Sequence, residues 1–564
     1  MRHDLVIRGG TVIDGTGGPR VTADVAIDGA VIVDVGVDVG NGRRTIEADG
    51  LLVTPGFVDV HTHYDAQVAW DPYVTPTSWH GVTTAIMGNC GVGFAPVKAE
   101  HREWLISLME GVEDIPAAVL GAGLPWGWET YGDYLDVLDR DPRAIDIGGM
   151  VTHAATRVYV MGERGADHRN QPTDNEVEQM SKIVAAALDA GALGFSTSRS
   201  RNHKTRDGDP IASLNASGRE LLGCADGLRR QRRGLIEIAA DFVDNDIESE
   251  FALFRSLAAR SGRPVSLPMT PQHHQPERHR QLLDLMAQAG AEGLQFTAQV
   301  PIRPVGVMIG LENRLHPFYA TLTYQSIAAH PLAERLSLLR QPEYRSRIVA
   351  EARALPVVPD MSLTFALGEP LDYEPDDSQS VTARARDLGV DPLELAYDLL
   401  TAGDGSSFLY RPANSYGSGN FDALRELLSS PLTVPGLGDG GAHCTLISDA
   451  SNPTYMLTHW GRDRSRGERL PVELLVKWHA HDTASLFGLD DRGVVAPGRK
   501  ADVNVIDFDA LRVCPPQMAY DFPAGGKRLV QRAVGYRATV VSGEVTYLDG
   551  EPTGVLPGRV VRSR

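Results

Sequence analysis

The chain has 564 residues, of which 42% are hydrophobic and 23% charged. This is the composition of an ordinary soluble globular protein, and the length suits two or three domains. Asp and Glu outnumber Lys and Arg by 73 to 54, which gives a formal net charge of −19. The acidic balance argues against a nucleic-acid partner and against an anionic membrane surface, because both select clusters of Lys and Arg.

The cysteines and the first residues of the sequence indicate the compartment. The four cysteines are widely spaced and form no CxxC pair, which is typical of a reducing cytoplasm. The first residues, "MRHDLVIRGGTVIDG", lack a charged segment followed by an apolar one, and no apolar run is long enough to span a membrane. We therefore expect a cytoplasmic protein without a membrane anchor. The sequence is compatible with a homo-oligomer and does not determine one.

Both ends of the chain are predicted to form short β-strands. Segments such as "ADVAIDGAVIVDVG" near the start and "YRATVVSGEVTYLDGE" near the end combine β-branched residues with Gly and Asp turn signals. We predict that residues 1–55 and 490–564 together form one small β-sandwich domain. The alternative is two unrelated β tails.

Between the two ends, apolar strands alternate with amphipathic helices. Thr173 and Glu176 form a capping box, apolar residues follow at helical spacing, and Gly191 is a natural helix end. In chain order, the pattern predicts strands at 146–151, 193–197, 234–239, 264–269, 293–300 and 432–441, and helices at 173–191, 246–262, 276–290 and 421–430.

This alternation predicts an α/β fold with a parallel sheet. We predict a TIM-like (β/α)8 barrel over residues 56–300 and 421–489. A doubly wound open sheet is the alternative, although no GxGxxG follows a first strand. Residues 301–420 are too long and irregular for a simple connection, so we predict an insertion that forms a lid or a substrate-facing subdomain.

Two histidines follow the apolar run in "GFVDVHTHYD". Residues two apart in a strand point the same way, so His61 and His63 would present two imidazoles to one site at the mouth of a barrel. Imidazole suits Zn, Fe, Ni and Mn. Asp439, in "LTVPGLGDGGAH", could complete such a site and accept a proton from water. The alternatives are a solvent-facing histidine pair and an ordinary Asp-Gly turn.

Cys90 lies in a tight turn, "GNCG", after the predicted strand "TTAIM". A thiolate at this position could ligate a metal. A small buried thiol without a function is the alternative.

The segments "GFVDVHTHYDAQ", "GVTTAIMGNCGVGFAPV", "GLGDGGAH" and "RGVVAPGRKADVNVID" resemble the amidohydrolase superfamily, and more closely its D-aminoacylase (N-acyl-D-amino-acid deacylase) branch. The likeness spans nearly the whole chain. It implies a metal-bearing barrel beside a small β-sandwich, and hydrolysis of an amide by metal-activated water. It also implies that His61, His63 and Cys90 are metal ligands and that Asp439 is both ligand and general base.

The sequence departs from this branch on two middle strands. The branch usually carries a histidine on each, whereas "GLIEIAADF" and "PVSLPMTPQ" contain none. Zn²⁺ is the expected cofactor, with one ion favoured over two, held by His61, His63 and Asp439. Three other interpretations stay open: His273 or His274 reaches back to the site, His153 or His203 replaces a ligand, or no metal binds.

The expected partner is a small-molecule substrate, an N-acyl amino acid that is D-configured by the resemblance. Arg199, Arg201 and His203, in the basic segment "STSRSRNHKTR", are candidates to bind its carboxylate, since a guanidinium grips a carboxylate well. A solvated loop is the alternative, and Arg157 and Arg303 are weaker candidates. Hydrolysis of a cyclic amide, imide or ester, and a metal-free binding protein on the same scaffold, are the alternative functions.

Overall fold

The computed structural model describes residues 2–242, 245–275, 277–357 and 360–563. The strands in this part of the chain are β1 (Arg2–Val12), β2 (Val21–Asp28), β3 (Val31–Gly36), β4 (Asn41–Glu47), β5 (Leu52–Pro55), β6 (Phe57–Asp59), β7 (Val82–Met87), β8 (Asp146–Thr152), β9 (Gly194–Ser198), β10 (Leu235–Ala239), β11 (Val265–Pro268), β12 (Phe296–Val300), β13 (Gly306–Ile309), β14 (Phe365–Ala366), β15 (Leu409–Pro412), β16 (Thr433–Pro435), β17 (Val503–Ile506), β18 (Arg512–Val513), β19 (Gln517–Phe522), β20 (Gly526–Val530), β21 (Ala533–Val534), β22 (Tyr536–Val541), β23 (Glu544–Leu548) and β24 (Glu551–Pro552).

The α-helices are α1 (Arg102–Glu113), α2 (Ala117–Gly123), α3 (Tyr131–Arg140), α4 (His153–Met161), α5 (Glu163–Ala166), α6 (Asp174–Ala190), α7 (Gly218–Gln231), α8 (Ile247–Ser261), α9 (Arg278–Ala291), α10 (Leu322–Gln325), α11 (Leu332–Leu339), α12 (Pro342–Arg353), α13 (Val381–Leu388), α14 (Pro392–Leu400), α15 (Asp422–Leu428), α16 (Asn452–Tyr455), α17 (Val472–Lys477) and α18 (Thr483–Leu486). Two π-helical segments, Met456–Asp463 and Trp478–Asp482, extend α16 and α17. No helix in the described ranges is both long and apolar enough to cross a bilayer.

The central sheet is parallel and eight-stranded, in the order β6-β7-β8-β9-β10-β11-β12-β16. Its first and last strands meet just beyond their carboxyl ends. There the amide of Asp439 donates to the carbonyl of His61 at 3.1 Å, and that of His63 to Gly440 at 2.7 Å. This sheet agrees with the predicted TIM-like barrel, whose chemistry lies at the carboxyl ends of the strands.

The apolar run before the histidine pair forms two strands in two different sheets. β5 pairs with β17 in the terminal sheet, whereas β6 pairs with β7 in the barrel. Gly56 separates them, and a Cβ there would meet the Thr83 hydroxyl oxygen at 2.2 Å. The close packing of the two sheets therefore requires glycine at this joint.

The two ends of the chain join in one nine-stranded sheet. Its order is β24-β23-β22-β17-β5-β1-β2-β3, with β4 paired to β1. β22 and β23 form a hairpin in which Ser542 and Gly543 have φ of 50° and 78°, as a type I′ turn requires. The sandwich arrangement and the domain boundaries at 55 and 490 stay predictions.

The segment predicted as an insertion has its own packing. The antiparallel sheet β13-β15-β14 and helices α10 to α14 enclose a separate apolar cluster that includes Phe318, Tyr324 and Tyr397. The limits 301–420 and the role of a lid stay predictions.

Most of the predicted barrel elements appear within a few residues of their expected limits. α6 has the predicted capping box of Thr173 and Glu176, and it ends at Gly191 with φ of 115°. The helix predicted at 276–290 runs from Arg278 to Ala291, and Pro276 lies outside the described residues. The strand predicted at 432–441 is wrong in length, since β16 ends at Pro435.

Left-handed backbone explains the early end of β16. Leu437 and Asp439 have φ of 55° and 46°, which no strand accommodates. The glycine-rich stretch that follows β16 is therefore a loop, and this loop carries Asp439.

Candidate metal centre

The four predicted metal-site side chains come from three neighbouring strand ends. His61 and His63 follow β6, Cys90 lies in the turn after β7, and Asp439 lies in the loop after β16. His61, His63 and Cys90 are buried, and Asp439 keeps 15% of its side chain exposed. The structure thus brings together residues that are up to 378 positions apart, since 439 − 61 = 378.

The distances between their donor atoms suit a small metal ion. His61 Nε2 lies 3.4 Å from Cys90 Sγ and 3.4 Å from Asp439 Oδ1, and His63 Nε2 lies 3.8 Å from Asp439 Oδ1. Tetrahedral zinc with ordinary bond lengths separates its ligand atoms by roughly 3.3–3.6 Å. His61, His63 and Cys90 each offer a donor atom within 4.8 Å of the other two, and Asp439 approaches both histidines, so donor types that suit zinc lie side by side. No other cluster of three potential metal-binding side chains occurs within the described ranges.

A hydrogen-bond chain fixes the ring of His61. Its Nδ1 lies 2.6 Å from Gln299 Oε1, and Gln299 Nε2 donates to Ser266 Oγ at 3.0 Å. An amide oxygen only accepts, so Nδ1 of His61 carries the proton and Nε2 presents a lone pair to the site. Orientation of a ligand imidazole by an outer partner is the rule in metal sites.

The turn that carries Cys90 is held by its close fit against neighbouring strands. Cys90 itself has φ of 55°, and its amide donates to Glu237 Oε2 at 2.8 Å. A Cβ on Gly88 would lie 2.4 Å from the Met150 carbonyl oxygen, and one on Gly91 would lie 2.8 Å from the Thr197 Cα. Both glycines have positive φ as well, so the turn requires them.

Several carboxyl groups surround the site without a Lys or Arg partner among the described residues. The carboxyl groups are those of Asp59, Asp65, Glu113, Glu237 and Asp439, and the first four are buried. Within the part of the chain that the structure describes, their only ion-pair contacts within 4.0 Å are with histidines.

The acid–base properties of these groups follow from burial. Burial raises the pKa of Asp439 to about 6 and that of Asp59 to about 7. The pKa of Asp65 is raised to about 7 and that of Glu237 to about 8, again chiefly by burial. Burial also lowers the pKa of His61 to about 4, which keeps its imidazole neutral. Neutral imidazoles among buried carboxylates fit a divalent cation.

The three predicted substrate-binding residues have different surroundings. His203 donates to or accepts from Ser198 Oγ at 2.7 Å, and burial with the nearby His443 and His61 lowers its pKa to about 4. The His203 ring therefore lies near the rings of His443 and His61. Arg199 binds Glu250 through two nitrogens and the Ala216 carbonyl through the third. Arg201 is 59% exposed and lies 3.9 Å from Asp241.

The other predicted ligand and anion-binding candidates either make contacts within the protein or lie at its surface. Both ring nitrogens of His153 are engaged, by Thr197 Oγ1 at 2.8 Å and Glu220 Oε1 at 3.2 Å. His273 packs beside Gly417, and His274 is exposed. The remaining two candidates are buried in ion pairs: Arg157 with Glu220 and Arg303 with Asp449.

Six residues at the site are not among the predicted ones: Asp59, Asp65, Glu113, Glu237, Gln299 and His443. Glu237 has a signal in the sequence, because a carboxylate inside the apolar run "LIEIA" needs a partner when it is buried. His443 follows Asp439 by four residues in the same motif. Glu113 and Gln299 carry no local signal, since only the fold brings them to the histidines.

The comparison with known families identifies the class of protein. The amidohydrolase family matches residues 44–547, which is most of the chain. The protein therefore belongs to the amidohydrolase family.

Similar curated proteins include two deacylases of Alcaligenes xylosoxydans xylosoxydans. An N-acyl-D-aspartate deacylase is 27% identical over 572 residues, which cover 99% of this chain and 95% of that protein. An N-acyl-D-glutamate deacylase is 26% identical over 568 residues, which cover 99% and 96%. The predicted enzyme class, a metal-dependent amidohydrolase resembling N-acyl-D-amino-acid deacylases, is confirmed.

Solved structures share the fold. One is the N-acyl-D-glutamate deacylase from Bordetella bronchiseptica, complexed with zinc and a phosphonate inhibitor. It has a TM-score of 0.66 and 22% identity, and the match covers the whole of both chains. A D-aminoacylase structure gives a TM-score of 0.65 at 22% identity and covers 99% of this chain.

Proposed function

We propose that the protein hydrolyses the amide bond of a small N-acylated substrate with one zinc ion held by His61, His63, Cys90 and Asp439. The observation that carries the proposal is the convergence of these four donors, with His61 Nε2 at 3.4 Å from both Cys90 Sγ and Asp439 Oδ1. The similarity to a deacylase that was solved with zinc supports it. Neither β10 nor β11 holds a histidine, which favours one ion over two.

Zinc bound by such residues lowers the pKa of water and polarises a carbonyl group. Asp439 accepts the proton of the attacking water and then delivers it to the leaving nitrogen. The carbon–nitrogen bond breaks, and the products are a carboxylic acid and an amine. Gln299 holds the His61 ring in place during these steps, and His203 contacts the substrate from the loop after β9.

An N-acyl-D-amino acid is the first choice of substrate because the similar curated proteins are deacylases of this kind. A hydrolase of a neutral cyclic amide or imide is the second candidate. The observation that favours it is the engagement of Arg199, whose guanidinium is occupied by Glu250 and a carbonyl group. The first choice needs another partner for the substrate carboxylate. His203 and Arg201 remain of the predicted three, and Arg201 lies 3.9 Å from Asp241.

A substrate panel tests the proposal. Zinc-loaded enzyme is incubated with N-acetyl-D-amino acids, their L-enantiomers and cyclic imides, and released amine or acid is measured. We expect hydrolysis of at least one D-configured substrate, and none by the His61→Ala variant. Activity confined to cyclic imides would support the second candidate, and equal activity of His61→Ala would contradict both.

A further inference from the structure

Glu113 lies between His63, a proposed metal ligand, and His443, which is partly exposed to solvent. It is the last residue of α1 and is 1% exposed. Its Oε1 lies 3.3 Å from His63 Nδ1 and its Oε2 lies 3.9 Å from His443 Nε2. His63 Nδ1 is buried and has no hydrogen-bond partner, so this carboxylate is the group positioned to accept its proton.

His443 is partly exposed and has a left-handed backbone conformation, and both features are common in functional residues. It keeps 38% of its side chain exposed while its Nε2 faces the buried carboxylate. Its φ of 45° is left-handed, as are those of Cys90 and Asp439. Non-glycine residues adopt this conformation at a cost, and they concentrate at functional sites.

The loop that carries His443 is fastened to the end of α1. The residue after Glu113 is Asp114, whose carboxylate accepts from both the amide and the hydroxyl of Thr445. The amide of Ala442 donates to the Asp439 carbonyl at 2.9 Å. The end of α1 and the loop after β16 therefore form one unit that carries Glu113, Asp439 and His443.

We propose that Glu113 is a positioning residue that orients both His63 and His443, and that His443 contacts the bound substrate. Glu113 accepts the Nδ1 proton of His63, which leaves Nε2 of His63 free for the metal. Glu113 Oε2 lies 3.9 Å from His443 Nε2, too far for a direct hydrogen bond, and its charge orients the His443 ring by electrostatic attraction. This inference rests on the proposed function, because it names the group that meets the substrate of that reaction.

Zinc affinity and steady-state kinetics of two variants test the inference. Zinc affinity is measured by competition with a chromophoric chelator, and kinetics use the best N-acetyl-D-amino acid of the panel. Glu113→Gln is expected to bind zinc about 10–100-fold more weakly, as loss of an outer partner does, and to show a raised KM. His443→Ala is expected to keep the zinc affinity of the wild type and to raise KM about 3–10-fold, as loss of a hydrogen bond does.

Matched controls separate these effects from damage to the fold. Glu103 lies on α1 and is exposed, and His481 is 42% exposed and pairs with Asp482. Glu103→Gln and His481→Ala should match the wild type in both measurements. If Glu113→Gln does not fold, Glu113→Asp replaces it, and because it keeps the carboxylate its loss of zinc affinity should be smaller than 10-fold.

Unchanged zinc affinity in the Glu113 variant, or an unchanged KM in His443→Ala, would overturn the inference. A wild type that binds no zinc would instead overturn the proposed function. A wild type that binds zinc but hydrolyses no N-acetyl-D-amino acid would overturn the substrate choice, and a cyclic imide then serves for the kinetic comparison.

Discussion

Asp439 is the residue on which the proposed chemistry depends. Its Oδ1 lies within 3.4 Å of His61 Nε2 and 3.8 Å of His63 Nε2, and its left-handed φ of 46° directs it there from a glycine-rich loop. Its side chain is 15% exposed, whereas the other carboxyl groups of the site are buried. A base that contacts the metal ligands and is also partly exposed to solvent can exchange protons with water and with a leaving group.

Replacement of this base is expected to abolish most of the activity. Asp439→Asn keeps the shape and one oxygen donor but cannot accept a proton, so kcat/KM should fall about 10²–10⁴-fold. The measurement is kcat/KM on zinc-loaded enzyme, with metal content determined on the same sample. A fall of less than about 10-fold at full metal occupancy would show that another group takes the proton.

The pH dependence of kcat/KM follows from the same carboxyl group. Burial raises the pKa of Asp439 to about 6, and bound zinc lowers it again because a nearby cation favours the carboxylate. The base is lost as pH falls through this pKa, so kcat/KM should fall on the acid side, with its midpoint at or below pH 6. A profile that rises toward acid pH would contradict the role of Asp439.

The elements differ in how far the sequence predicts them. The helical spacing of apolar residues and the capping signals predicted α6, because a capping box and a final glycine depend only on residues that are close in the sequence. The split of one apolar run into β5 and β6 has no local signal, since it depends on Gly56 meeting Thr83 across the two sheets. The motifs also indicated His61, His63, Cys90 and Asp439, whereas Glu113 and Gln299 reach the site only through packing.

The turn after β7 should be intolerant of a single methyl group. Gly91→Ala places a Cβ 2.8 Å from backbone atoms of Thr197 and Ser198, which should lower the free energy of unfolding by about 1–3 kcal/mol beyond the cost of its positive φ. Gly50→Ala is the matched control, since Gly50 has φ of +75° and no atom within 4 Å of the added Cβ.

Chemical denaturation of both variants and zinc titration check this element. Gly91→Ala should unfold at lower denaturant than Gly50→Ala and should bind zinc more weakly, because Cys90 moves with the turn. Equal stability and equal zinc affinity in the two variants would show that close packing at Gly91 does not fix the turn that carries Cys90.

At the scale of the whole molecule, the buried carboxyl groups link stability to pH and to metal. Burial raises the pKa of Asp59 to about 7 and that of Glu237 to about 8, so the metal-free folded protein binds protons that the unfolded chain releases. The free energy of unfolding of metal-free protein should therefore fall as pH rises from about 6.5 to about 8. Below that range the lowered pKa values of His61 and His203 act in the opposite direction.

Zinc should offset this loss most strongly at high pH. Its ligands must be deprotonated to bind, so the affinity rises with pH, and zinc at 100 times its Kd stabilises the folded state by about 2.7 kcal/mol. Thermal unfolding with and without zinc at pH 6 and pH 8 measures the effect. The gain in Tm on adding zinc should be larger at pH 8 than at pH 6. An equal or smaller gain at pH 8 would contradict the coupling between zinc binding and deprotonation of the site.

The metal content of the purified protein tests the central claim most directly. Elemental analysis of wild type and of His61→Ala, each purified without added chelator and then equilibrated with equal zinc, gives the number of ions per chain. The wild type should hold about one zinc ion per chain, and His61→Ala should hold far less. A wild type without stoichiometric metal, or a His61→Ala variant that retains as much as the wild type, would contradict the site described for His61, His63, Cys90 and Asp439.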